Sequence, residues 1–251
     1  NKYNSFKKEF KKIKNKIDYI VVLSPNNLHL KYIKFGLMNN INVICEKPLI
    51  TSSKYLEKIK KLEKKYNAQV FNILQLRTLD VVQQLKKKIK IDMKYNVKIN
   101  YITPRGHWYH TSWKGDKNRS GGILFNIGIH LLDLVCYLFG DYKNYQMSKL
   151  NNSSAKGQII FNQAKVNFHL SINKKDALKY KKPVIRDFII NSNDIFLVAA
   201  DDIVISSGIS SSIDSEAIDS ELHKKILGRG LYSRSTKRSD TNFVPTKVDH
   251  K

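Results

Sequence analysis

The sequence predicts an α/β protein whose doubly wound parallel sheet is followed by an α+β domain with a mostly antiparallel sheet. Two observations predict this. Up to about residue 93, apolar runs suited to strands alternate with segments of helical spacing. Beyond that point, alternating strand patterns follow one another with turn residues between them. We divide the chain into residues 1–93, 94–190 and a divergent segment, 191–251.

The first part reads as three strands, each followed by a helix. The strands are "YIVVLS", "NVIC" and "AQVFNIL". Continuous apolar runs of this kind are typical of parallel strands that are buried on both faces. The helices are predicted in "LHLKYIKFGLMNN", from Ser52 or Ser53 to about Tyr66, and in "LDVVQQLKKKI". A further helix is predicted at the start of the chain.

The second part begins with the strand "KYNVKINYIT" and a polar, aromatic loop at residues 104–120. A helix at 121–139 follows, and then the strands "YQMSKLN", "AKGQIIFN", "AKVNFHLSI" and "VIRDFIINS". The helix is long enough to suggest a membrane span. However, it contains Asn126, His130 and Asp133, and polar groups are costly inside a membrane. We therefore predict a buried helix and no membrane partner. No structure is predicted for residues 191–251.

Charge and cysteine content limit the class of protein. The net charge is +24, but the lysines are scattered among Asn and Ile, which favours a solvated surface over a nucleic-acid site. Cys45 and Cys136, the two cysteines, lie in apolar runs, which is typical of a reducing compartment. No signal-peptide pattern is present, so we predict a cytoplasmic protein. No zinc-type spacing occurs, and no metal site is predicted.

Three motifs occur in order along the chain: "SPNNLH", "CEKPL" and "GGILFNIGIHLLDL". Together they resemble the Gfo/Idh/MocA oxidoreductases, which carry a Rossmann domain followed by an α+β substrate domain. "LQLRTLD" and "YITPRGHWYHTSWKGDKNRSGG" are similar to the members that oxidise UDP-N-acetylglucosaminuronic acid (UDP-GlcNAcA) at C3 for O-antigen sugars. The resemblance covers roughly residues 15–190 and implies NAD as the cofactor and a UDP-sugar as the substrate.

One departure from the family pattern concerns the cofactor. The family's G-x-G-x-x-G turn, which grips the dinucleotide pyrophosphate, does not occur in this sequence. We expect an incomplete Rossmann sheet whose first β-α-β unit is missing, through truncation rather than loss of the cofactor site.

Lys47 and His130 are the predicted catalytic residues. Lys47 follows the strand "NVIC", and ligands of parallel sheets bind at the carboxyl ends of strands. Its ammonium group could stabilise an alkoxide or shuttle the proton of a hydroxyl. His130 shares a helix face with Asn126, and Asp133 could orient its imidazole. The resemblance places His130 at the family's catalytic histidine.

The resemblance and the strand ends also suggest binding residues. The cofactor residues are predicted to be Ser24, Pro25, Asn26, His29, Glu46, Lys47 and Pro48. The substrate residues are predicted to be Gln75, Arg77, Arg105, Trp113, Lys114, Asn126 and His130.

The predicted function is NAD-dependent oxidation of the C3 hydroxyl of UDP-GlcNAcA, by a homo-oligomer. The oligomer is suggested by the second sheet, whose face carrying "VNFHLSI" looks too apolar to remain exposed. Two alternatives stay open. One is another sugar or inositol dehydrogenase of the family, and the other is a non-catalytic module that binds polyanions.

Overall fold

A computed structural model describes residues 2–191, 194–199 and 207–209. It contains a three-stranded parallel sheet, followed along the chain by a seven-stranded sheet in which only one pair of neighbouring strands is parallel. The predicted fold class is therefore confirmed.

The first sheet has the strand order β1-β2-β3, with β1 at Tyr19–Val22, β2 at Asn42–Cys45 and β3 at Val70–Asn72. The helices of this part are α1 (Lys2–Ile13), α2 (His29–Leu37), α3 (Leu56–Tyr66) and α4 (Asp80–Lys88). Helix α2 packs closely on β2 because Gly36 lacks a side chain, and any Cβ at this position would collide with Val43.

The sequence predicts that strand β1 is buried on both faces, but in the structure it is not. Val21 is 53% exposed and Leu23, just beyond the strand, is 71% exposed. Among the described residues β1 pairs only with β2, so one of its edges has no neighbouring strand. An apolar groove of about 450 Å³ runs beside it and is lined by residues of β1, α1 and α2. An apolar sequence run therefore marks a strand here, but not its position in the sheet.

The second sheet has the strand order β10-β9-β8-β4-β7-β6-β5. Its strands are β4 (Tyr95–Ile102), β5 (Tyr142–Leu150), β6 (Ser154–Phe161), β7 (Ala164–Ser171), β8 (Ile185–Asn191), β9 (Asp194–Ala199) and β10 (Ser207–Ile209). Strand β4 is parallel to β7 and antiparallel to β8. Strands β9 and β10 belong to the segment for which no structure is predicted, and the rest of that segment lies outside the described residues.

One face of this sheet is covered by α7 (Ile129–Phe139), whose buried residues include Leu131, Leu134 and Leu138. The predicted single helix at 121–139 is interrupted. A π-helical turn at Leu124–Gly128 precedes α7, and Gly121 and Gly122 have φ angles of +82° and +84°. An added Cβ on Gly128 would lie 2.6 Å from Leu170 Cδ1, so this glycine brings the turn onto β7.

By length and composition alone, the helical segment Lys117–Phe139 could cross a membrane. Within the fold, the buried apolar side chains of this segment pack against the second sheet and form part of its core. Three short helices, α5 (His107–Thr111), α6 (Lys117–Ser120) and α8 (Lys174–Leu178), were not predicted.

The other face of the second sheet corrects the argument for a homo-oligomer. The apolar residues of β7, including Val166 and Phe168, point into the core on the α7 side. Lys165 and Asn167, which alternate with them along the strand, are exposed on the opposite face. Strand alternation divides the apolar and polar residues between the two faces. The oligomeric state stays a prediction, but an apolar sheet face no longer supports it.

Candidate active site

A cavity of about 310 Å³ lies between the carboxyl ends of β1 and β2 and the loop that follows β4. It is lined by Leu23, Ser24, Asn26, Glu46, Lys47, Arg105, Trp108, Tyr109, Trp113, Lys114, Asn126 and Ile127. The cavity therefore brings together residues from both parts of the chain.

Lys47 is held in place at the floor of this crevice. Hydrogen bonds from Asn72 Nδ2 to the Cys45 and Glu46 carbonyl oxygens, at 3.0 and 3.3 Å, fix the backbone at the end of β2. Lys47 Nζ donates to the Asn126 carbonyl oxygen at 2.7 Å. Burial lowers the pKa of Lys47; Glu46 opposes this shift and Lys114 adds to it. The ammonium is thus fixed and partly desolvated.

His130 lies close enough to Lys47 for their charges to interact. Burial, and then the positive charge of Lys47, lower the pKa of His130 to about 4. The imidazole is therefore neutral at pH 7. Its side chain is half-buried and has no hydrogen bond to the described residues, although it does not line the cavity. A neutral, unpaired imidazole can accept a proton.

Asn126 lines the cavity and joins the π-helical turn to the loop after β4. Its Nδ2 atom donates to the Tyr109 hydroxyl at 2.9 Å and lies 3.4 Å from the Lys114 carbonyl oxygen. The buried Tyr109 thus supports a predicted substrate residue. The sequence does not predict this role of Tyr109, because nothing local indicates which group its hydroxyl contacts.

Asp133 and Arg77 bind each other, which the sequence does not predict. Asp133 does not orient His130; it forms a two-pronged ion pair with Arg77, with Nε to Oδ2 at 2.7 Å. Arg77 and Gln75 do not line the cavity. Both precede α4, and the carboxylate on α7 draws Arg77 towards the core.

The predicted cofactor residues separate into two groups. Ser24, Asn26, Glu46 and Lys47 line the cavity, whereas Pro25, His29 and Pro48 do not. His29 is fully buried, with Nδ1 2.7 Å from the Pro48 carbonyl oxygen and Nε2 2.9 Å from that of Ser24. It therefore joins two backbone loops, and its assignment as a cofactor residue stays a prediction.

Asn26 and Pro25 also contribute to the local structure. Asn26 is 4% exposed, and its Nδ2 atom donates to the Ser120 carbonyl oxygen at 2.7 Å. This bond ties the loop after β1 to α6. The Pro25 carbonyl oxygen accepts from Leu28 N at 2.8 Å, and Pro25 does not line the cavity.

The loop after β4 supplies the basic and aromatic wall of the cavity. Lys114 Nζ lies 5.9 Å from the ring centroid of Trp108, which is 55% exposed. Trp113 and Arg105, two of the predicted substrate residues, line the same wall. Three cations and one acid, Glu46, line the cavity, so it favours an anionic ligand.

Two family models match the chain. Residues 2–73 match "Oxidoreductase family, NAD-binding Rossmann fold", and residues 86–167 match the C-terminal alpha/beta domain of the same oxidoreductase family. Glucose-6-phosphate 3-dehydrogenase of Bacillus subtilis is 28% identical over 53% of this chain and 40% of its own length. 2,7-Anhydro-N-acetylneuraminate hydratase of Escherichia coli is 30% identical over 50% of this chain and 34% of its own. The chain thus spans less than half the length of these curated relatives.

Solved structures give longer matches. The WlbA (WbpB) dehydrogenase of Thermus thermophilus, in complex with NAD and UDP-GlcNAcA, is 26% identical with a TM-score of 0.68. The match covers 90% of this chain and 71% of that one. The WlbA dehydrogenase of Bordetella pertussis shares the fold, with a TM-score of 0.67 and 17% identity over 84% of this chain and 68% of that one. The two domain matches and these likenesses agree, and the chain belongs to the Gfo/Idh/MocA family of oxidoreductases.

Proposed function

We propose that this protein is an NAD-dependent dehydrogenase that oxidises the C3 hydroxyl of UDP-GlcNAcA to a ketone. The observation that carries the proposal is the pairing of a fixed Lys47 ammonium with a neutral His130 beside a basic cavity. The likeness to the T. thermophilus dehydrogenase in complex with NAD and UDP-GlcNAcA supports the choice of substrate.

The residues at the strand ends fit the nicotinamide end of NAD. Ser24 and Glu46 line the cavity where β1 and β2 end, which is where parallel sheets bind such ligands. When bound, NAD supplies the acceptor for the hydride that leaves the sugar carbon.

Lys47 and His130 take different parts in the proposed reaction. The Lys47 ammonium stabilises the negative charge that develops on the substrate oxygen as its proton leaves. The neutral state of His130 at pH 7 supports its assignment as the acceptor of that proton. Its low pKa also makes it a weak base, so the nearby positive charge of Lys47 has to acidify the hydroxyl first.

The charge of the cavity supports the proposed substrate class. UDP-GlcNAcA carries a diphosphate and a carboxylate, and Lys47, Arg105 and Lys114 line the cavity. The 3-keto product is a substrate for transfer of an amino group, which fits the synthesis of O-antigen sugars. Such a reaction takes place in the cytoplasm.

The test is production of NADH by the protein expressed from its complete coding sequence. The substrates are UDP-GlcNAcA, UDP-N-acetylglucosamine (UDP-GlcNAc) and glucose 6-phosphate, each with NAD. We expect NADH with UDP-GlcNAcA and an oxidised product at C3, identified by NMR. Turnover of glucose 6-phosphate without turnover of UDP-GlcNAcA would contradict the proposed substrate. Light scattering on the same sample measures the predicted homo-oligomer.

A further inference from the structure

Arg105 lies on a backbone segment that is held rigidly beside the cavity. The pairing of β4 with β7 ends at Ile102 and Ser171. Backbone hydrogen bonds between the two segments continue past these residues. Thr103 N donates to the Ser171 carbonyl oxygen at 2.9 Å, and Arg105 N donates to that of Ile172 at 3.1 Å. The position of Arg105 is therefore set by the sheet, although the residue lies in a loop.

The guanidinium of Arg105 lacks a partner among the residues that the structure describes. Its Nε atom is buried and has no hydrogen-bond acceptor there, and none of the ion pairs within the described ranges includes Arg105. A buried charged donor without an acceptor is unfavourable. A ligand that brings an acceptor to this wall of the cavity removes that cost.

The other two cations of the cavity already have protein contacts. Lys47 Nζ donates to the Asn126 carbonyl oxygen, and Lys114 Nζ lies over the ring of Trp108. Glu46, the acid of the cavity wall, accepts from the backbone N of Lys47 at 3.2 Å. Arg105 is thus the cavity cation that these contacts leave for a ligand.

The positions of these cations suggest which anionic group each one takes. Lys114 and the half-exposed Trp108 lie at the open rim, where a nucleotide and its diphosphate have room. Lys47 and Arg105 line the same cavity and are less exposed than Lys114, so a sugar that reaches Lys47 enters the more buried part of the cavity, to which the Arg105 Nε atom belongs. A guanidinium offers two parallel N–H donors, a geometry that matches a carboxylate.

We propose that Arg105 is the specificity-determining residue that selects a sugar bearing a carboxylate over the same sugar with a hydroxymethyl group. The inference rests on the proposed function for the nucleotide part of the ligand. Recognition of the carboxylate itself depends only on Arg105 and its surroundings.

The first experiment is calorimetric titration of the purified protein with UDP-GlcNAcA and with UDP-GlcNAc, which has a hydroxymethyl group in place of the carboxylate. The variants are Arg105→Gln and Arg105→Lys. We expect Arg105→Gln to weaken UDP-GlcNAcA binding by about 10- to 100-fold and to leave UDP-GlcNAc binding nearly unchanged. Arg105→Lys keeps the charge but loses the two-pronged geometry, so it restores part of the difference.

The matched control is Arg119→Gln, which removes an exposed arginine of α6 that does not line the cavity. It changes the net charge by the same amount and should not change the ratio of the two affinities. Equal weakening of both ligands by Arg105→Gln would overturn the inference, because Arg105 would then bind the shared diphosphate or support the fold.

A second measurement separates the inference from the proposed substrate. The Nε–H resonance of Arg105 in arginine-labelled protein, assigned with Arg105→Lys, is followed while glucuronate or glucose is added. We expect the resonance to shift with glucuronate and not with glucose, even if neither UDP-sugar binds. A glucuronate shift without binding of either UDP-sugar would contradict the proposed substrate and support the carboxylate site. A resonance that does not shift with glucuronate would overturn the carboxylate site.

Discussion

Helix α7 and the turn before it have two polar sides that differ in how their charged and polar groups are paired. One side carries Asn126, which lines the cavity, and His130, which has no hydrogen bond to the described residues and whose pKa is lowered to about 4. The other side carries Asp133 and Tyr137 and faces the segment around α4.

On the side that faces α4, the protein itself supplies partners for Asp133, the Leu138 carbonyl and the Tyr137 ring. Asp133 is bound by Arg77, and Lys86 Nζ donates to the Leu138 carbonyl oxygen at 2.8 Å. Arg77 and Lys86 also lie 5.4 and 5.7 Å from the ring centroid of Tyr137. Polar groups that the protein itself pairs stabilise the fold, and groups left without a partner are available to a ligand. The variants below test this difference.

The largest effect is expected on the cavity side. In the active protein, Lys47→Met should lower turnover about 100-fold or more, as loss of an oxyanion-type donor does. His130→Asn should lower it about 100- to 10,000-fold, the range for a general base. Steady-state kinetics with NAD and UDP-GlcNAcA measure both. Near-normal turnover of His130→Asn would identify His130 as a structural residue and leave Lys47 to act alone.

Breaking the paired side should affect stability before activity. Arg77→Met leaves the nearly buried Asp133 without its partner, and loss of one member of a buried ion pair is strongly destabilising. Because Arg77 is partly exposed, we expect the free energy of unfolding to fall by about 2 kcal/mol in urea titrations. The control is Lys60→Met, which breaks the exposed pair with Glu57 and should cost about 0.5 kcal/mol or less. Equal losses would show that the Arg77–Asp133 pair adds nothing beyond a surface contact.

His130 also makes stability depend on pH. The pKa of His130 is about 4 in the folded chain, against the ordinary histidine value of 6.5, which applies to the unfolded chain. The unfolded chain therefore binds the proton more readily. The fold keeps its full stability above pH 6.5 and loses part of it as the pH falls towards 4. Near pH 4, His130→Asn should reduce this loss in the free energy of unfolding by about 1 to 3 kcal/mol. Urea titrations at several pH values compare the two proteins, and parallel curves would contradict the shifted pKa.

The smallest effect is expected at the end of α7. Lys86→Met removes the ammonium group that caps the Leu138 carbonyl, while the apolar stem keeps its packing. We expect a loss of about 0.5 to 1 kcal/mol in the free energy of unfolding and no change in turnover. If turnover fell by more than the loss of folded protein explains, the two sides of α7 would be coupled.

Much of the fold could be predicted from local patterns. The apolar runs and helical spacings locate β1 to β8 and α2 to α4 within a few residues, and they place α7 inside the predicted segment 121–139, because side-chain period follows directly from backbone geometry. The short helices and the π-helical turn could not be predicted in this way, since they depend on close packing such as that of Gly128 on Leu170.

The candidate site was predicted less completely than the fold. Lys47, Asn126, Arg105, Trp113 and Lys114 all reach the cavity wall. His29 and Asn26 were predicted to bind the cofactor, and that stays a prediction. Their side chains contact backbone carbonyls, which local sequence does not indicate, and Asn26 also lines the cavity.

By itself, the sequence determined the order of the elements, the two-sheet architecture, the family motifs and the excess of positive charge. Only the tertiary structure decided which cations are available to a ligand. Arg77 and Arg105 are equally plausible anion partners in the sequence, yet Asp133, 56 residues away, binds Arg77 and leaves Arg105 facing the cavity. The physical reason is that hydrogen-bond pairing and burial are set by groups brought together from distant parts of the chain, and local sequence does not specify them.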